Sequence, residues 1–230
     1  MKKIGLLLLL TMGLLNLCIS QNATELIHKV KAKINTVNNY IANGKMKTDI
    51  TFIKAPIGKV TVYFKKPNQF KFKKESGISI LPKGGLSINI GNIVSEDDFD
   101  IIDSGEEIID NTKTRKIKLL PRNEESDVVL STMYIDPIQV LVKKVVTTTK
   151  ENGTYQIELS YNKYKQYGLP DKVVFGFNTK DYKMPKGITM EFDDDGKKEM
   201  REKMKNKKGK VEITYSSYSI NKGIDDSVFN

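Results

Sequence analysis

The chain has 230 residues, a formal charge of +10, one cysteine, one histidine and no tryptophan. A lone Cys18 excludes an intramolecular disulfide, and a lone His28 removes most zinc sites and every Ser-His-Asp arrangement that does not use it. A chain of this length needs no covalent staple, since it can bury about 70% of its unfolded surface in one domain.

Residues 1–20 read as an export signal. Lys2 and Lys3 precede an apolar stretch from Ile4 to Leu17, and Ser20 supplies a small residue for cleavage. The alternative is a lipoprotein signal in which Cys18 is kept and acylated. Leu15 suits that reading; Leu17, directly before the cysteine, does not. The apolar run falls short of the roughly 20 residues that span a bilayer. The expected compartment is the periplasm, either free or membrane-anchored through Cys18, and 21–230 is expected to be one domain.

Asn22 is a candidate N-cap with Glu25 at capping-box spacing. Ala23, Ile27, Val30, Ile34, Val37 and Ile41 then form one helical stripe, which predicts a helix ending at Asn43-Gly44. Beyond Gly44 the period drops to two. Strands are expected at Met46–Ala55, Lys59–Lys65, Gln69–Lys74, Ile78–Leu81 and Leu86–Ile90. Val94–Asp103 suits either an irregular loop or a short helix leading into a weak strand. Glu106–Asp110 and Thr114–Leu120 pair around Asn111, while Val128–Ile135 and Ile138–Thr149 flank Asp136-Pro137. Thr154–Tyr161 follows an Asn152-Gly153 turn of type I′ character. Lys172–Phe177, Ile188–Phe192 and Val211–Ser219 complete the series. The fold class is mainly β with an N-terminal helix, an antiparallel sheet curled into a barrel or half-barrel.

Little in this sequence carries chemistry. No phosphate loop, dinucleotide fingerprint or zinc helix is present. Asp193-Asp194-Asp195-Gly196 lacks the alternating ligands of a calcium loop and reads as a charged turn. His28, at the edge of the helical stripe, reads as structural. The 28 acidic residues always permit some carboxylate pair in space, but no cluster nominates one. The segment Lys197–Lys210 sets eight basic residues against Glu199 and Glu202, and reads as a solvated hairpin tip or a contact for an anionic membrane surface. No aromatic interrupts it as a stacking platform would, so nucleic acid is not expected as a partner. The expectation is a monomer without catalysis, cofactor or metal.

What remains is the apolar side of the strands. Val60, Val62 and Phe64, Phe70 and Phe72, Val173, Phe175 and Phe177, Ile188, Met190 and Phe192, and Val211, Ile213 and Tyr215 each point one way along their strands. Core packing accounts for most of them. A sheet too curved for one helix to fill would leave a dry pocket, able to take an acyl chain at about 0.8 kcal/mol per buried methylene.

The stretch Gly58-Lys59-Val60-Thr61-Val62-Tyr63-Phe64-Lys65-Lys66-Pro67-Asn68-Gln69-Phe70-Lys71-Phe72 resembles the G-x-φ-x-φ-(x)₂-(K/R)-R-P-N-x-F-x-W segment of LolA/LolB-type lipoprotein carriers. The ending, from Ile213 through Asn221-Lys222-Gly223-Ile224-Asp225-Asp226-Ser227-Val228-Phe229, is similar to their closing strand and N-x-x-(I/L)-x-D-x-x-F tail. The resemblance implies an incomplete, strongly curved antiparallel barrel with a helical lid over an apolar cavity. It implies a periplasmic carrier that sequesters lipoprotein acyl chains, or another lipid, for transfer toward the outer membrane. The alternative it leaves open is a sensing or scaffold protein of the cell envelope that binds a protein partner. Candidate lipid-binding residues are Phe52, Val60, Val62, Phe64, Phe70, Phe72, Phe175 and Phe177. Lys66 is the candidate latch, standing where the family has an arginine that holds its lid to backbone carbonyls. Phe72 replaces the family's tryptophan, and Pro82-Lys83-Gly84-Gly85 stands in place of its D-G-x-x-(L/V)-W stretch. Beyond 92–104 the family's lid helices have no counterpart.

Overall fold

Alternation of inward apolar and outward polar side chains organises the described strands. The computed structural model describes residues 23–50, 53–54, 57–75, 99–182 and 208–229. A helix, α1, covers residues 23–34. The strands are β1 Asn39–Ile50, β2 Ile53–Lys54, β3 Gly58–Lys65, β4 Gln69–Lys74, β5 Phe99–Ile109, β6 Thr112–Pro121, β7 Val128–Asp136, β8 Leu141–Thr149, β9 Gly153–Ser160, β10 Lys172–Tyr182 and β11 Lys208–Ile220. The expectations for 1–20, Cys18, Asn22, Phe52, 78–81, 86–90, 188–192, 193–196 and 197–207 lie outside the described residues.

The strands form one curved, open antiparallel sheet in the order β4-β3-β1-β11-β10-β9-β8-β7-β6-β5, with β2 pairing β1. β5 to β11 are a simple meander, and β1, β3 and β4 are a second one. The pairing of β1 with β11 joins them, so the two ends of the domain lie side by side. α1 packs Ala23, Leu26, Ile27 and Val30 onto the inner face. Beneath them lie Met46, Val60, Ile117, Met133, Val145, Ile157, Val173, Phe175, Val211 and Ile213, all buried.

The helix is shorter than its stripe predicts. Its last i→i−4 bond runs from Asn35 N to Lys31 O at 2.8 Å, and Val37 and Ile41 lie beyond it. Thr36, Val37, Asn38 and Asn39 are weak helix formers, and two of the four are β-branched. Val37 is buried in the connector, while Ile41 is a strand residue. Asn43-Gly44 is no helix stop: it marks a bulge in the β1–β11 pairing. A Cβ on Gly44 would stand 2.5 Å from the Thr214 carbonyl oxygen, so only glycine fits this close strand approach.

Two turns also differ from expectation. The type I′ geometry belongs to Asp110 (φ 46°) and Asn111 (φ 58°), between paired Ile109 and Thr112. At the β8–β9 hairpin Thr149 pairs with Gly153, three residues intervene, and Gly153 alone adopts the left-handed region, at φ 80°. Of the 94–103 stretch, 94–98 lies outside the described residues and 99–103 is strand, the opening of β5.

Candidate functional site

The inner face of the sheet is the candidate site, and cross-strand register places its residues. Phe64, Val62 and Val60 on β3 stand opposite Phe70, Phe72 and Lys74 on β4 and opposite Tyr40, Ala42 and Gly44 on β1. Phe175 and Phe177 on β10 stand opposite Ile157 and Tyr155 on β9 and opposite Val211 and Gly209 on β11. Val60, Phe175 and Phe177 belong to one buried cluster, with Phe72 packed against it. Val62, Phe64 and Phe70 lie outside that cluster, toward the end of the face where β3 meets its hairpin.

That end is aromatic. Tyr40 sits 5.3 Å from Phe64 and 5.5 Å from Tyr218, which in turn lies 4.8 Å from Tyr164 and 5.2 Å from Tyr215. The bulge at Asn43/Gly44 lets both Tyr215 and Tyr218 reach the inner face, although three positions separate them. The phenols find backbone acceptors: Tyr218 donates to the Pro170 carbonyl at 2.7 Å and Tyr161 to the Val142 carbonyl at 2.8 Å. Burial pushes the pKa of Tyr40, Tyr161, Tyr215 and Tyr218 well above the ordinary phenol range. Sequence reasoning missed Tyr40, Tyr161, Tyr164 and Tyr218. The signal was a slip of parity: Val211, Ile213 and Tyr215 keep one phase, Tyr218 and Ile220 the other.

The two stretches that carry the sequence resemblance meet at this end, around the connector 35–39. Lys66 Nζ donates to the Asn35 carbonyl at 2.6 Å, and Lys66 N to the Asn38 carbonyl at 2.9 Å. Asn221 Oδ1 accepts the amides of Asn38 and Asn39 at 2.7 and 3.2 Å, while its Nδ2 donates to the Thr36 carbonyl at 2.9 Å. Lys65 Nζ lies 2.6 Å from Asp226 Oδ1 and donates to the Ile224 carbonyl at 3.3 Å. Ile224 is buried, and Asp225 caps the short 3₁₀ turn Asp226–Val228 through the Ser227 amide. Lys33 Nζ also donates to the Gln139 carbonyl. The C-terminal end of α1 is therefore held by polar bonds, whereas its N-terminal half is held by apolar contact.

Toward the outermost described strands, β4 and β5, the inner face is only half covered. Phe70 and Phe72 on β4, and Phe99 and Ile101 on β5, are half-buried. Lys74 points inward on β4, and desolvation lowers its pKa. On β6 Arg115 donates from Nε (2.9 Å) and Nη2 (2.5 Å) to Asp103 Oδ2, whose other oxygen accepts the Gly105 amide at 3.0 Å. This ion pair braces the β5 bulge between Asp103 and Glu106. Recesses of about 450 and 490 Å³ are bounded by described residues. Both are lined mainly by outer-face side chains, so neither is the apolar chamber expected from the sequence. Among the described residues no group of three or more His, Cys, Asp and Glu side chains is placed to hold a metal ion, and no helix is long and apolar enough to cross a membrane. His28 is exposed on α1.

No protein-family model matches the sequence, and no curated protein is similar to it. Solved structures are similar in fold. A DUF1329 family protein from Desulfovibrio piger superposes with a TM-score of 0.57 at 13% identity, over 92% of this chain and 97% of that one. A putative outer membrane lipoprotein-sorting protein domain from Vibrio parahaemolyticus gives 0.52 at 10% identity, over 92% and 97%. A LolA superfamily protein from Nitrosomonas europaea gives 0.52 at 11% identity, over 90% and 97%. The chain has the LolA-type fold.

Proposed function

We propose that this protein is an exported envelope protein that binds acyl chains on the inner face of its sheet and carries them reversibly, without catalysis. The observation that supports this reading most is a mismatch of size. Ten strands at about 4.8 Å spacing make a sheet about 48 Å wide along its curve, whereas the twelve described residues of α1 make a rod about 18 Å long. Such a rod spans a minor part of that width: the centre of the face from Val60 to Ile117 is buried, and the covering thins only toward Phe72 and Ile101. Phe70, Phe72, Phe99 and Ile101 remain half exposed at its margins.

The wall residues are Val60, Val62, Phe64, Phe70, Phe72, Phe175 and Phe177, with Phe52 added from sequence. Apolar contact between α1 and this wall is worth about 25 cal/mol per Å². An acyl chain offers the same wall the same kind of contact, so it can displace the N-terminal half of α1 at little net cost. The polar bonds around residues 35–39 have no such substitute, and they make that end the pivot. Lys66 serves as a tie at the pivot. Lipoprotein acyl chains are the cargo that the fold relatives and the sequence motifs favour, and the envelope is the matching compartment.

Gentle purification followed by native mass spectrometry tests this directly. The expected spectrum carries an adduct of lipid mass that organic extraction removes. A spectrum of bare protein, unchanged after incubation with a long-chain acyl donor, refutes the reading and favours a scaffold that binds a protein partner through the filled face.

A further inference from the structure

The two halves of the outer face differ in charge. On the outer side of β5 to β9 most cations are matched: Arg122 with Asp100 at 2.8 Å, Lys116 with Glu107 at 2.9 Å, Lys144 with Glu158 at 4.0 Å, while Lys118 has no described carboxylate within ion-pair distance. On β1, β3, β4 and β11 the same alternation turns Lys45, Lys47, Lys59, Lys71, Lys73 and Lys210 outward, against Asp49, Glu75 and Glu212. Glu75 is taken by Lys59 at 3.5 Å. Glu212 is shared by Lys172 at 3.0 Å and Lys210 at 3.5 Å, and the hydrogen bond and charge of Lys172 hold its carboxyl below the usual range. Among the described residues Lys45 and Lys47 have no carboxylate within ion-pair distance. Lys73 stands over the Tyr63 ring at 5.3 Å.

These lysines occupy neighbouring strands about 4.8 Å apart at steps of about 6.8 Å along each strand, a dense positive band. Within it the recess of about 490 Å³ over Gly44 is lined by Asn43, Lys45, Lys59, Thr61, Ser216 and the Glu75 carboxylate that Lys59 holds. The Thr61 and Ser216 hydroxyls are already donated to Asn43, so it is the lysines of the band that suit a phosphodiester. The band is built of lysine without arginine, that is, of mobile point charges rather than planar forks, which fits a fluid layer of headgroups better than a fixed partner geometry.

We infer that the outer face of β1, β3, β4 and β11 docks on a bilayer surface rich in anionic phospholipid. This surface is separate from the proposed acyl site and rests on charge placement alone.

The test is cosedimentation of the full chain with phosphatidylcholine vesicles made with and without phosphatidylglycerol. Binding is expected only to the anionic vesicles, and it should fall as salt shortens the screening length from about 10 Å toward 3 Å. Each lysine at an anionic surface contributes about fivefold, so Lys45→Gln/Lys47→Gln/Lys73→Gln should weaken binding roughly a hundredfold. A control with the same charge change at exposed sites off this face, Lys163→Gln/Lys165→Gln/Lys222→Gln, should lose far less. Equal loss in the two triple variants, equal binding to neutral vesicles, or no binding to either overturns the inference. None of these outcomes depends on whether a lipid adduct is seen by mass spectrometry.

Discussion

The tyrosine end of the inner face and the phenylalanine strip beside it are built from similar side chains but fastened in different ways. At the tyrosine end, Tyr40, Tyr164 and Tyr215 gather around Tyr218 with Phe64 against Tyr40, while Lys65, Lys66 and Asn221 bolt the connector 35–39 to the sheet and the tail. Along the strip, Tyr155, Phe175 and Phe177 lie 5.3 and 5.7 Å apart under the helix by apolar packing. Hydrogen bonds to buried groups need particular partners, whereas apolar burial accepts any hydrocarbon of the right shape. The first region fixes the architecture and the second can exchange its covering.

The largest expected effect is at the centre of the strip. Phe175→Ala should destabilise the domain by about 3–5 kcal/mol in urea unfolding, as a fully buried ring leaves a cavity. Gly44→Ala comes next, at about 1–3 kcal/mol, because the added carbon meets backbone that neither strand can withdraw. At the tyrosine end, Tyr218→Phe strands the Pro170 carbonyl and should cost about 1–2 kcal/mol. Asn221→Ala should cost about the same or less, since its partners are exposed to water, yet it should raise amide exchange at Asn38 and Asn39. If Asn221→Ala instead outweighs Phe175→Ala, the division between the two regions fails.

Alkaline pH separates the regions without mutation. A phenol whose pKa is raised by folding stabilises the fold fully below the unfolded value, about 10, and loses that contribution as pH rises toward the folded value. Tyr40, Tyr161, Tyr215 and Tyr218 all have raised values. Unfolding midpoints should therefore fall above about pH 10, and the ultraviolet titration should show a cooperative step as these phenols ionise with unfolding. A smooth titration of all ten tyrosines, with unchanged stability, would contradict their burial.

The sequence reveals strands wherever inward residues are large. β3 and β4 were legible from Val60, Val62, Phe64, Phe70 and Phe72, and β10 from Val173, Phe175 and Phe177. The second half of β1 falls within the strand expected at Met46–Ala55, but its first half was hidden because the inward residues after Tyr40 are Ala42 and Gly44, too small to show a period of two. The continuing helical spacing at Val37 and Ile41 then extended the helix on paper. Asn152-Gly153 misled because the dipeptide that favours a two-residue turn also serves a longer one, which only the pairing of Thr149 with Gly153 decides. The motif around Lys66 and the tail from Asn221 to Asp226 were both visible, but not that they bind one another. That contact spans more than 150 residues of sequence and depends on β1 lying between β3 and β11.

The most direct measurement is the affinity of the purified domain for saturated fatty acids of increasing length, read by displacement of a fluorescent acyl probe. A dry inner wall should add about 0.8 kcal/mol, close to fourfold, for each methylene until the wall is filled. Affinity that does not change with chain length, or no displacement at any length, would show that the inner face has no room for hydrocarbon.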